Sequence, residues 1–190
     1  MNTASEITVW DPWVRLFHWS LVVMVLAALV TEDEQLKLHV LAGHGVIGLV
    51  IFRLIWGFMG TEHALFTDFV RKPAQVIAYL RAIRDGSPGH HLGHNPAGGM
   101  MIVVLLGVLF LLGITGLLTI GIEKDAGVLA GMVANIPIPV GKAMEEFHEA
   151  LGEFMWVLIG LHLTGVVLGI WQHRENLIWS MITGRKRSGK

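Results

Sequence analysis

Residues 147–171 read FHEALGEFMWVLIGLHLTGVVLGIW: an amphipathic turn, then a run from Phe154 through Trp171 that is apolar but for His162 and Thr164. A bilayer core about 30 Å thick takes about 20 apolar helical residues, so this stretch reads as a membrane-crossing helix. It contains His148 and His162, 14 residues apart. At about 100° per residue they fall about 40° short of four full turns, and at about 1.5 Å each they are separated by roughly 21 Å of rise. One helix face thus offers two imidazoles, one near each membrane surface. Ionisable groups in lipid are costly and usually functional, which favours a site over ordinary packing.

Three more runs of similar length precede it. The first extends from about Val14 to Val30, the second from about Leu38 to Gly60 with only Arg53 as a charge, and the third, uncharged, from Ala97 to Gly121. With the fourth, Phe147 to Trp171, they predict an all-α chain with four transmembrane helices, residues 1–190 forming a single domain. Composition agrees: 53% apolar residues, 15% charged and a mean hydropathy of +0.60 leave too little charge to cover a soluble domain. The absence of Cys excludes disulfides, thiolate zinc sites, iron–sulfur clusters and covalently attached c-type haem. No nucleic-acid partner is expected, whereas lipid is.

Charge orients the spans. Arg15, Arg53, Arg71, Lys72, Arg81, Arg84, Arg174, Arg185, Lys186, Arg187 and Lys190 fall on one side, eleven of the fourteen cations. The other side holds Lys37, Lys124 and Lys142 beside Glu32, Asp33, Glu34, Glu123, Asp125, Glu145 and Glu146. The positive-inside rule therefore puts both termini in the cytoplasm. Glu6 and Asp11 ahead of the first span, with no small-residue cleavage site after Val30, argue that it is retained rather than removed as a secretory signal. Pro73, the stretch Ala74 to Arg84 and Gly86 predict a short surface helix. Residues 122–142, with Pro137 and Pro139, read as a loop with at most a short helix.

Two more histidines, His18 in the first span and His44 in the second, complete a set of four. Depth pairs them: His44 with His148 toward the outer surface, His18 with His162 toward the inner one. Two bis-histidine sites stacked across a bilayer describe a pair of b-type haems. A flat macrocycle needs small residues beside its ligands, and Gly48, Gly152 and Gly165 stand at i+4, i+4 and i+3 from His44, His148 and His162. His39 lies about 140° around the helix from His44, so both cannot face one haem, and it reads as interfacial. Arg15 and Arg53 are candidates to pair haem propionates at the inner level. His90, His91 and His94 read as a solvated loop, His63 and His173 as headgroup-zone residues. Trp10, Trp13, Trp19, Trp56, Trp171 and Trp179 read as an interfacial belt.

Several segments carry a resemblance: Trp10-Asp11-Pro12 leading to Val14-Arg15-Leu16-Phe17-His18-Trp19, His44 with Gly48, Arg53, Trp56-Gly57, and Gly93-His94-Asn95-Pro96 before the third span. With His148 and His162 they make nearly the whole chain similar to the bacterial di-haem cytochrome b561 and nickel–iron hydrogenase cytochrome b subunit family. The resemblance implies a four-helix bundle in the bacterial inner membrane, with two haem b groups ligated by His18, His44, His148 and His162. It implies electron exchange with quinone or quinol, and with a periplasmic cytochrome c or a hydrogenase-like complex. Glu145, Glu146, Glu149 and Glu153 become candidates to accept quinol protons. Quinol oxidoreductase activity and a homodimer stay open. The competing readings are a metal-ion transporter using the same histidines, which acidic residues at mid-membrane would favour, and a haem-free membrane anchor.

Overall fold

A computed structural model describes residues 6–31, 35–87, 89 and 91–187. Glu32, Asp33, Glu34, His90 and Lys190, read above from sequence, lie outside the described residues. In chain order the elements are strand β1 (Glu6–Thr8), helices α1 (Pro12–Thr31) and α2 (Leu36–Met59), a 3-10 turn (Glu62–Ala64), helices α3 (Phe66–Phe69), α4 (Pro73–Arg84), α5 (Pro96–Lys124), α6 (Ala130–Val133), α7 (Ile138–His173) and α8 (Leu177–Thr183), and strand β2 (Arg185–Arg187). The chain is all-α apart from one small strand pair, and α1, α2, α5 and α7 are each long and apolar enough to cross a membrane. Each of the four expected spans is contained in one of these helices, apart from Gly60 just past the end of α2.

Helix starts follow from local chemistry. Asp11 Oδ1 accepts the backbone N–H groups of Trp13 and Val14 at 2.8 and 2.9 Å, and Pro12 occupies the first helical position of α1. Asn95 Oδ1 accepts from Gly98 N at 2.7 Å, with Pro96 opening α5. α7 begins nine residues before the expected Phe147. Pro139 is no obstacle there, because first-turn N–H groups have no intrahelical acceptor anyway. Residues 122–142 are accordingly less of a loop than the prolines suggested.

Two compact units divide the chain. The first comprises Met1–Ser20, Ile51–Val104 and Gly160–Lys190. In it β1 pairs antiparallel with β2, Glu6 opposite Arg187 and Thr8 opposite Arg185. Gly184, at φ 83° beyond the end of α8, uses its carbonyl to accept from Val9 N and Trp10 N at 2.8 and 3.1 Å. Arg15 donates to Ile182 O, and Trp19 Nε1 to Met181 O. α4 starts at Pro73, as expected, and ends at Arg84, two residues before Gly86 (φ 74°), with Val76 and Tyr79 buried.

The second unit comprises Leu21–Val50 and Leu105–Ile159. Its core includes Val25, Ala42, Val46, Val50, Leu106, Leu109, Met155 and Leu158. Close approach is set by small residues: a Cβ on Gly113 would meet Ile47 Cγ1 at 2.5 Å, and one on Gly45 would meet Met24 Sδ at 3.1 Å. Leu16, Val23 and Val30, at seven-residue intervals along α1, are each more than 60% exposed and mark its lipid-facing stripe.

Candidate haem sites

In the second unit the rings of His39 and His148 lie 6.0 Å apart, centroid to centroid, at 79°. His39 Nδ1 donates to Ala28 O at 2.9 Å. His148 Nδ1 is 2.8 Å from Thr115 Oγ1, whose own hydrogen is directed to Leu111 O at 2.9 Å, so Thr115 accepts from the imidazole. Both rings are thereby held as Nδ1–H tautomers, with the Nε2 lone pair left for a metal. Two metal–imidazole bonds of about 2 Å plus the two ring radii span roughly 6 Å, the separation seen. Beside these rings, Gly43 at i+4 from His39 and Gly152 at i+4 from His148 both face open space where a Cβ would stand. The donor set, the gap and the cleared helix faces fit a bis-imidazole haem. Gly116 packs under the His148 ring, where a Cβ would meet Cε1 at 3.0 Å.

The expected partner of His148 was His44, and the structure brings His39 there instead. His44 is exposed, its Nδ1 donating to Val40 O one turn earlier at 2.7 Å. The two residues point about 140° apart, and it is His39 whose ring reaches the α1 carbonyl of Ala28. The two are matched in sequence by their glycines: Gly43 stands to His39 as Gly48 does to His44. Gly48 also faces open space.

The first unit holds the other pair. His18, on α1, lies near enough to His162, on α7, for the charge of one to act on the other. His18 Nδ1 is buried without a hydrogen-bond partner. Gly165, at i+3 from His162, has open space around it, while His18 has Leu21 and Val22 at those positions.

Around this pair the first unit is built from buried polar groups. Arg53 is 3% exposed, which rules out snorkelling to water as its role. Its Nη2 donates to Ala64 O at 2.9 Å, and its guanidinium lies 5.2 and 5.6 Å from the Phe66 and Phe69 ring centroids. Asp11 Oδ2 accepts from Thr61 Oγ1 at 2.6 Å and Trp56 Nε1 at 3.2 Å. Trp10 is buried, donating to Ser180 Oγ, so it and Trp56 knit the protein together, while Trp13, Trp171 and Trp179 are exposed as interfacial anchors. Arg15 Nε is buried without a partner.

His94 departs most from expectation. Read as part of a solvated loop, it is wedged between the Trp10 ring at 4.4 Å and the Phe69 ring at 4.9 Å. Its pKa is pushed down to about 3, first by burial and then by the charges of Arg53, Lys186, His63 and His162. His63, expected in the headgroup zone, pairs with Asp68 at 3.2 Å. Glu146, Glu149 and Glu153 are exposed.

No curated protein and no solved structure matches the chain. A family model described as prokaryotic cytochrome b561 matches residues 9–184, from the Gly184-bound Val9 to Gly184 itself. The chain therefore belongs to the prokaryotic cytochrome b561 family, multi-pass cytochromes b of the bacterial inner membrane that bind b-type haem and carry electrons.

Proposed function

We propose that this cytochrome b holds two b haems, one between His18 and His162 and one between His39 and His148, and relays electrons between the quinone pool and a periplasmic redox partner. The observation that carries the reading is the His39–His148 pair, 6.0 Å apart with each Nδ1 tied to the protein. When bound, haem supplies a one-electron ferric/ferrous couple within lipid. The chain's own residues do the rest. Neutral imidazoles would hold the iron through Nε2, and the hydrogen bonds from Nδ1–H to Ala28 O and Thr115 Oγ1 fix ring orientation and would raise ligand basicity. Apolar helix faces exclude water. Both termini lie in the cytoplasm, supported by the distribution of Lys and Arg. The redox partner is a cytochrome c or a hydrogenase-like complex, a reading supported by the resemblance alone.

The test is a visible spectrum and haem content of purified protein. Two low-spin b haems per chain are expected, both reduced by a quinol analogue. His39→Leu and His148→Leu should each drop the content to one, whereas His44→Leu should keep two. A colourless wild-type preparation rejects the reading, and one haem in His44→Leu with two in His39→Leu restores His44 as the ligand.

A further inference from the structure

We propose that His94 joins Arg53 and Arg15 in a carboxylate-binding pocket that receives the propionates of the haem held by His18 and His162. The proposal rests on that haem's being present. Three nitrogens of the first unit are sealed from solvent without a partner: Arg53 Nη1 and Arg15 Nε, which can only donate, and His94 Nδ1, which can donate in one tautomer. Buried donors are almost always paired, and an unpaired one carries the full cost of its desolvation. A buried guanidinium also needs a counter-charge.

Among the described residues Asp11 is the one carboxylate whose charge reaches Arg53, and its oxygens are already taken up, so it leaves Nη1 without an acceptor. Asp11 already accepts from Trp13 N, Val14 N, Trp56 Nε1 and Thr61 Oγ1. Glu175 lies 3.9 Å from Lys186 Nζ, and Asp68 is paired with His63. Among the described residues no carboxylate forms an ion pair with Arg53 or Arg15.

Placement connects the donors. Phe69, fully buried, has the Arg53 guanidinium 5.6 Å from its ring centroid and the His94 ring 4.9 Å from it. His94 lies within electrostatic reach of Arg53, Lys186, His63 and His162. Arg15 stands one turn before His18 on α1, and its Nε lies beside Gly184, which also abuts the carbonyl of Trp10, the residue stacked on His94. A macrocycle held by His18 and His162 would bring two carboxylates to these donors. Lys186, 5.5 Å over the Trp10 ring and 3.5 Å from Gly93 O, adds positive potential behind His94. An anion arriving there offsets the burial and the cationic neighbours that hold the imidazole neutral.

The experiment uses the haem-loaded protein with carbon-13 introduced biosynthetically into the haem propionate carboxyls. Oxidised-minus-reduced infrared spectra are recorded with redox titrations for wild type, Arg53→Gln, Arg53→Lys, His94→Gln and the exposed control Arg71→Gln. Label-sensitive carboxylate bands should move in Arg53→Gln and His94→Gln. One haem potential should fall in Arg53→Gln, be largely kept in Arg53→Lys, and leave the other haem untouched. Arg71→Gln should match wild type. The proposal is overturned if His94→Gln keeps both haems and leaves the labelled bands in place. It is equally overturned if only unlabelled bands move, which would assign the pocket to another anion such as a lipid phosphate. Haem-free wild type would instead reject the functional reading, a result visible before any variant is made.

Discussion

Asp11 accepts four hydrogen bonds, two from the first turn of α1 and two from Trp56 and Thr61. Burial alone pushes its carboxyl up, but the bonds from Thr61, Val14, Trp56 and Trp13 outweigh that and hold it below the usual carboxylate range. A folded-state pKa below the unfolded one, about 3.9, means this stabilisation is complete at higher pH and drains away as pH falls through the folded value. Asp11→Asn should therefore flatten the acid limb of a stability–pH curve, read by loss of haem absorbance in detergent. Asp11→Ala, which removes the cap, should cost about 0.5–2 kcal/mol near neutrality. Single-residue roles were the least legible part of the sequence. The shared face of His148 and His162 is legible because 14-residue spacing on one helix is a one-dimensional fact. Which of His39 and His44 lies beside His148 depends on the rotation of α2 about its axis, and that is set by its packing against α1, where His39 reaches the Ala28 carbonyl. His94 looked solvated because Gly-rich flanks describe backbone freedom and say nothing about what packs over the ring.

The long helices were legible because hydropathy over about 20 residues reports directly on lipid. What it misses is helix outside lipid: the first nine residues of α7 and the whole of α8 carry no such mark. Packing between elements turns on individual glycines. A Cβ on Gly57 of α2 would overlap the Phe66 ring, which is hemmed in by Phe58 at 5.4 Å, Phe69 at 5.6 Å and the Arg53 guanidinium. Gly57→Ala should thus destabilise by about 1–3 kcal/mol through overpacking. Gly131 in α6 has nothing within 4 Å of an added Cβ, so Gly131→Ala should be neutral or stabilise by up to about 1 kcal/mol. Thermal loss of haem absorbance in the two variants measures the contrast; equal midpoints would remove the steric account.

At the scale of the molecule, four crossings and a β1–β2 pair agree that the two ends of the chain share one side of the membrane. On the proposed topology that side is the cytoplasm. A fluorescent-protein fusion at the C-terminus should accordingly glow, and an alkaline phosphatase inserted at Asp125, between α5 and α6, should be active. The opposite pattern inverts the topology. Neither strand was visible in the sequence, since three residues have no periodicity to read and the partner lies at the far end of the chain.

That strand pair also orders events during synthesis. Glu6–Thr8 leave the ribosome ahead of all four crossings and Arg185–Arg187 behind them, so the two can zip together only once every crossing has been threaded. Until then Ile7 and its neighbours wait with their hydrogen-bonding edge unmet, and a product arrested midway stays open there, a ready mark for proteolysis of unfinished chains.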